Sequence, residues 1–385
     1  DETDLIRRRW LDNDFYVFNV NATYKNNDYS FIFGGSYSNY SGDHFGEIIW
    51  AEYASNSEIR DRYYASETSK TDSNIFAKLD YKLNETWDLY VDFQGRFVSF
   101  ETNGLTSDRT PINIDENYNF FNPKAGITYQ INDFNSLYLS YAKANREPNR
   151  NDYENGITNP EKLNDFELGW RINKETFKIN SNIYYMLYKD QLVLTGAIDD
   201  VGAPIRATSG KSYRLGIEID AYVKISNKFN MQPNIALSSN KNVDFTSSWN
   251  GELIDLGNTD IAFSPNFIAG SNFVYQPFTK LKMALLSKFV GEQYMGNIDN
   301  SNSKLDSYFV NDFNVSFEIT PNKIAESIRF DLLVNNIFNV EYISNGYYYT
   351  YDDDWSVPGD IITLDGAGYY PQAGINFLLA ATVRF

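Results

Sequence analysis

The 385-residue chain contains no cysteine. Neither a disulfide framework nor a thiolate-held metal is therefore open to it. It has one histidine, His44, which leaves little material for acid–base catalysis. No run of about eighteen apolar residues occurs, which excludes a transmembrane helix but not a membrane protein built from strands. Positive charge is scarce: 33 Lys and Arg stand against 51 Asp and Glu, a net charge of −18. That balance disfavours nucleic acid, which proteins hold by neutralising phosphate with cations. No initiator Met and no apolar leader precede the Asp at position 1, so a processed start or a fragment is expected.

Aromatics, by contrast, are abundant. There are 30 Tyr and 28 Phe, yet hydrophobic residues make up only 42% and mean hydropathy is −0.46. A soluble protein of this size buries its aromatics among runs of Leu, Val and Ile. A membrane barrel needs only every second strand residue to be apolar, and adds aromatic girdles at both interfaces. The last ten residues, 376–385, have this character. Phe377, Leu379, Ala381, Val383 and Phe385 fall on one side, with Asn376, Leu378, Ala380, Thr382 and Arg384 between them.

The same alternation recurs along the chain. Tyr16, Phe18, Val20, Ala22 and Tyr24 share a face, and a turn at Lys25-Asn26-Asn27-Asp28 leads to Tyr29, Phe31, Phe33 and Tyr37. Residues 39–72 show no sustained period and read as a long loop. Trp87, Leu89, Val91, Phe93 and Phe97 then oppose Asp88, Tyr90, Asp92, Gln94 and Arg96, a set expected to point into water. Further hairpins turn at Asn84-Glu85, Asn132-Asp133, Asn173-Lys174 and Ser226-Asn227. The clearest strand carries Tyr213, Leu215, Ile217, Ile219, Ala221, Val223 and Ile225 against Arg214, Glu218, Asp220 and Lys224, which demands one dry side and one wet side.

About fifteen strands emerge, joined by connections that are alternately short and long. Outer-membrane barrels have short periplasmic turns and long extracellular loops. The expected fold is all-β: a transmembrane antiparallel barrel forming a single domain over residues 1–385, with the long connections outward. An odd number of antiparallel strands cannot close on itself. The chain is therefore expected to be the C-terminal part of a larger barrel.

Eleven phrases, in order and spanning nearly the whole chain, resemble TonB-dependent outer-membrane receptors, in particular the branch found in Bacteroidetes. They are LIRRRWLDNDFY (5–16), GDHFGEIIW (42–50), FFNPKAGITY (120–129), REPNRNDY (146–153), LNDFELGWR (163–171), YKDQLVLTG (188–196), DVGAPIR (200–206), SYRLGIEI (212–219), IAFSPN (261–266), VNNIFNVEYISNGY (334–347) and YYPQAG (369–374). The resemblance implies a 22-stranded barrel holding an N-terminal plug whose TonB box is pulled by the energy-coupling complex of the inner membrane. Plug and TonB box are absent from this sequence, and the fifteen strands would be the last fifteen of the barrel.

On that reading the protein lies in the outer membrane of a Gram-negative bacterium, among its lipids, and is not an enzyme. It imports a scarce solute with energy relayed through TonB. A metal chelate such as a ferric siderophore, haem or a corrinoid is the commonest implied cargo, with oligosaccharide second. A non-transporting barrel that anchors a surface lipoprotein is the alternative. No resident cofactor is expected.

Among candidate sites, Glu218 and Asp220 share a face as a catalytic pair would, but barrel-lumen residues look the same. His44 with Asp43 and Glu47 suggests half a metal site, although a solvated loop suits them better. Asp352, Asp353 and Asp354 resemble a calcium-attracting run without the spacing of a formed loop, and read as a solvated tip. Arg146 and Arg150, clustered with Glu147, Asn149 and Asp152, would lie at the outer rim. There they would bind carboxylate or phosphate on a ligand, or else fix the loop base through ion pairs. Tyr347, Tyr348, Tyr351 and Trp355 on one long loop, and Trp50 and Tyr53 on another, are candidates for a ligand platform or for the upper aromatic girdle.

Overall fold

The structure is a computed structural model that describes residues 3–54, 56–198, 204–321 and 324–385. Among the described residues it is all-β apart from one short helix and one 3-10 turn. Two compact units are present: Asp1–Ile127 with Ala142–Lys162, and Thr128–Tyr141 with Leu163–Phe385.

In the first unit β1 (Leu5–Lys25), β2 (Tyr29–Ala51), β3 (Arg62–Lys82), β4 (Trp87–Leu105) and β5 (Pro111–Asn132) pair in sequence order. Strands β1 to β4 pair antiparallel. Strand β6 (Asn135–Arg146) and the helix α1 (Arg150–Glu154) follow; β5 and β6 contribute residues to both units. The second unit continues with β7 (Glu161–Asn173, whose first two residues belong to the first unit), β8 (Phe177–Lys189), β9 (Lys211–Lys224), β10 (Phe229–Val243), β11 (Phe267–Phe278), β12 (Leu281–Val290), β13 (Tyr308–Ile319), β14 (Ser327–Asn335) and β15 (Asn376–Arg384), again paired in sequence order. These are the fifteen long strands that the alternation led us to expect.

The short turns are made by side chains that imitate backbone acceptors. Asn26 accepts from the amides of Asp28 and Tyr29, both at 2.9 Å. Asn84 does the same for Thr86 and Trp87, Asn132 for Phe134 and Asn135, and Ser226 for Lys228 and Phe229. Each hairpin is thereby fixed at the position the sequence marks.

One face of the strands is apolar and open. Phe33, Ile75, Phe93, Leu139, Leu168, Ile183, Leu215, Leu237 and Phe309 are all exposed, and all occupy alternate positions. A soluble protein does not leave so regular an array of large apolar side chains in water. Hydrocarbon is the medium that makes such a face stable.

The residues at 39–72 correct the expectation of a long loop. Strands β2 and β3 continue through them, paired from Tyr29–Tyr81 to Glu47–Arg62 with one bulge at Gly46/Glu47, and only residues 52–61 connect the two. Likewise β4 and β5 leave only 106–110 between them, where a long connection was expected. The physical reason is simple. A strand shows a two-residue apolar period only where one face meets lipid, and about ten residues suffice to cross the bilayer. Beyond that both faces can be polar while the hydrogen-bonded ladder continues, so the period disappears although the strand does not.

Candidate functional site

In the first unit the connection after β6 folds back onto the polar face of β3, β4 and β5. Its helix α1 starts with a reciprocal cap: Asn149 accepts from the Asp152 amide at 3.0 Å, and Asp152 accepts from the Asn149 amide at 2.8 Å. The cap satisfies amides that a five-residue helix could not otherwise pair. Tyr153 then enters a buried cluster with Val98, Phe100, Tyr118 and Phe120. Its ring stacks on Phe100 at 4.8 Å and its hydroxyl donates to that of Tyr118 at 3.0 Å.

The charged cluster takes the form of a lattice. Glu147, almost fully buried, accepts from Lys70 at 2.7 Å and from both terminal nitrogens of Arg96 at 2.8 Å. Arg96 also grips Asp72. Burial pushes the Glu147 carboxyl up, but the bonds from Arg96 and Lys70 outweigh burial and hold it below the ordinary carboxylate range. Arg150 donates to Ser66 and Thr68 at 2.8 Å, to Thr102 at 3.2 Å and to Glu154 at 2.8 Å. Arg146 meets Glu161 at 3.3 Å and stays half exposed.

Sequence reasoning missed Lys70 and Asp72, which it placed in a loop, and Arg96, which it sent into water. Arg96 is instead the hub of the lattice. The remaining signal was opposite charge at alternate positions of neighbouring strands. Arg150, one of the two arginines chosen for ligand binding, spends these donors on the protein itself.

Trp50 lies at the end of β2, opposite Ile6, and is half exposed. Tyr53 follows in the connection, more exposed still. Beside them on the same strand ends, the Arg8 guanidinium is held by Glu47 at 2.7 Å and lies 4.9 Å over the Trp10 ring, while Arg62 covers Phe45 at 3.7 Å. Arg8, Trp10 and Phe45 lie within family phrases, whereas Arg62 falls in the stretch read from sequence as a long loop. His44 meets the Tyr40 hydroxyl through Nε2 at 3.1 Å, and Glu47 is taken by Arg8. Among the described residues no group of three or more His, Asp or Glu is placed to hold a metal ion.

In the second unit the connection between β14 and β15 is not an open loop. It forms a hairpin, Ile343–Asp353 paired with Ile362–Pro371. Strand alternation divides the candidate tyrosines. Tyr348 points inward, 2% exposed, into a core with Met295 and Leu305, and its hydroxyl donates to Asp365 at 3.2 Å. Burial, reinforced by that carboxylate, raises the phenol above its ordinary range.

Tyr347, Tyr349 and Tyr351 take the other face. Their rings run on to Trp355 with centroids 6.1–6.4 Å apart and planes within 10–21° of one another. Gly368 and Gly366 stand opposite Tyr347 and Tyr349. A Cβ at Gly366 would come within 2.6 Å of the Tyr349 ring, and one at Gly368 would strike Tyr347. Each ring thus lies across the neighbouring strand.

The run of three aspartates is also less loose than a solvated tip. Asp352 accepts from Thr363 and from Ser248 at 3.0 Å, and Asp353 accepts from the amides of Trp355 and Ser356 at 3.1 and 2.9 Å. Hydrogen bonds from Thr363 and from Ser356 hold the two carboxyls below the usual range. A second hairpin, Thr246–Trp249 with Glu252–Asp255, is clamped to the first: the Asn250 amide donates to Thr363 and the Thr363 amide to Asn250, at 2.6 and 2.8 Å. The phrase at 200–206 falls partly outside the described residues; within it Arg206 lies on a short strand, Pro204–Thr208, paired with Leu192–Ile198.

Antiparallel strands with an open apolar face and a polar one define a membrane protein that spans by strands; among the described residues no helix is long and apolar enough to cross a membrane. Residues 2–337 match the family model described as "TonB dependent receptor-like, beta-barrel", and the chain belongs to that family. It is a family of outer-membrane transport receptors of Gram-negative bacteria.

Among solved structures, the fold is similar to that of the ferric-catecholate import receptor Fiu from E. coli K12 (TM-score 0.70, 15% identity, 97% of this chain and 55% of that one). It is also similar to the ferric yersiniabactin uptake receptor FyuA from Yersinia pestis (0.66, 17%, 99% and 56%), and to the copper transporter OprC (0.71, 14%, 98% and 57%). The chain thus spans about half the length of these receptors. No curated protein matches the sequence.

Proposed function

We propose that this chain is the barrel portion of a receptor that imports a scarce solute across the outer membrane with energy delivered through TonB. Family membership over residues 2–337 carries the reading, and the open apolar face supports it. A metal chelate is the proposed cargo, because the similar solved structures include uptake receptors for ferric chelates and a copper transporter. Oligosaccharide is the second class. The phrases quoted above favour the Bacteroidetes branch and a single 22-stranded barrel whose last fifteen strands lie here.

Solute contact is proposed for the candidates that stand exposed or half exposed, Arg146, Trp50, Tyr53, Tyr351 and Trp355, and for the partly buried Tyr347, which shares the ring stack of the hairpin with the last two. Arg150 holds the folded-back connection in place in the first unit, and Tyr348 holds the hairpin in place in the second.

The test is binding and energised uptake by the complete receptor, with ferric siderophores, haem, corrinoids and oligosaccharides as probes, in cells with and without TonB. We expect one class to be taken up only when TonB is present. Failure to bind any of these classes, together with normal growth of a deletion strain on each, would sink the proposal.

A further inference from the structure

We propose that the outer face of the hairpin 343–371 is a docking surface for a basic polypeptide segment, one that presents Arg or Lys side chains to a strip of aromatic rings. The proposal rests on the reading above in one respect, that this hairpin faces the medium.

The strip is an unpartnered sheet face. Tyr347, Tyr349, Tyr351 and Trp355 form it, with Tyr370 at one end at 6.1 Å from Tyr347. Tyr349, Tyr351, Trp355 and Tyr370 are 42–68% exposed. The opposite face of the hairpin is fully engaged. Tyr348 is sunk among Met295 and Leu305, Asp365 accepts from Tyr348 and from Asn302, and Thr363 is clamped to Asn250. The strip is consequently presented by a rigid support, and a partner would not have to order it on binding.

Charge selects the occupant. Residues 336–375 contain no Lys, Arg or His, but they contain Glu341, Asp352, Asp353, Asp354, Asp360 and Asp365. The clamped neighbour repeats the pattern: residues 244–266 again lack any cationic side chain and carry Asp244, Glu252 and Asp255, with Asp260 paired to Lys241. Asp354, next to Trp355 at the end of the strip, is exposed, as are Asp360 and Glu341.

A ring face carries negative charge density, and a guanidinium or ammonium over it is attracted, the more so beside a carboxylate. A free phosphate or an acidic peptide would be repelled from the same surface. A neutral sugar could lie on the rings but would gain nothing from the charge. Ring spacing of 6.1–6.4 Å is close to the two-residue repeat of an extended chain, about 6.6 Å, so successive outward side chains of an extended basic peptide come into step with successive rings.

The experiment measures binding of the purified receptor in detergent or nanodiscs to three probes of similar length: an alternating Gly-Arg peptide, an alternating Gly-Glu peptide and a linear neutral glucan. No energised transport is involved, so its outcome is independent of whether the cargo is a chelate. We expect the Gly-Arg peptide to bind at least tenfold more tightly than either other probe, and to weaken as salt rises.

Tyr351→Leu and Trp355→Leu, which keep apolar bulk but remove the rings, should each weaken it by about fivefold. Asp354→Asn should weaken it without disturbing the hairpin, and far-UV circular dichroism and an unchanged melting temperature confirm that each variant is folded. Equal or tighter binding of the acidic peptide or the glucan overturns the proposal. So does wild-type binding by all three variants.

Discussion

The ring of Tyr153 stacks on that of Phe100, 4.8 Å between centroids and 17° between planes, and this contact ties the connection after β6 to the polar face of β4. Around it Val98, Tyr118 and Phe120 close a small core. Tyr153→Ala should cost roughly 3–5 kcal/mol, as truncation of a buried aromatic does. The loss should appear as faster hydrogen exchange and new protease sites within residues 147–160, with the strand amides of β7–β15 unaffected.

Glu147 stands between Lys70 and Arg96. Removing one member of a buried ion-pair set strands the others, at about 3–5 kcal/mol. Glu147→Ala should therefore loosen the same segment, while removal of the exposed Arg146–Glu161 pair should cost well under 1 kcal/mol. Thermal or denaturant unfolding of the two variants in detergent separates these outcomes.

The lattice also sets a pH dependence. The Glu147 carboxyl is depressed in the folded state. Its contribution is therefore complete above the ordinary carboxylate value of about 4.3, and is lost as pH falls through the lower folded value. Protection of residues 147–160 from exchange should hold from neutral pH down to about that value and then decline. Glu147→Gln should remove this part of the acid sensitivity; an unchanged profile would show that other carboxylates govern it.

Gly366 lies beneath the Tyr349 ring. Gly366→Ala should lift that ring off the neighbouring strand and break the parallel run from Tyr347 to Trp355. The effect on stability should be small, because the strip is exposed. The check is tyrosine and tryptophan near-UV dichroism, which should change while melting temperature stays close to the parent. Tyr348→Ala should do the reverse and lower the melting temperature, since it opens the core formed with Met295 and Leu305.

Phe33 and Ser41 lie on the same side of β2, both exposed. An arginine at Phe33 enters the apolar band and should cost roughly 2–4 kcal/mol, whereas one at Ser41, beyond the band, should cost little. Folding into vesicles and resistance to heat-induced unfolding on gels compare the two. Equal effects would mean that the lipid boundary does not lie between them.

Much of this architecture could be read from the chain itself. Alternation at Phe31 and Phe33, at Leu89, Val91 and Phe93, and at Leu215, Ile217 and Ile219 marked strands that exist, and Asn26, Asn84 and Asn132 marked their turns. The reading stopped at residues 39–72, where β2 and β3 leave the lipid and both faces are free to be polar. It also grouped Tyr347, Tyr348 and Tyr351 as one platform. Neighbouring residues on a strand face opposite ways, and the pairing of 343–353 with 362–371 is what makes that segment a strand.

The sequence by itself determined that this is an all-β membrane-spanning protein. A strand between lipid and water must alternate, and the alternation is written in consecutive residues. The tertiary structure alone decided that residues 147–160 return to the polar face, that Arg96 joins Asp72 to Glu147, and that Arg150 bonds to Ser66, Thr68 and Thr102. Those partners lie 24–84 positions apart along the chain. No local period records such contacts, because they depend on which strands the hydrogen-bond ladder brings side by side.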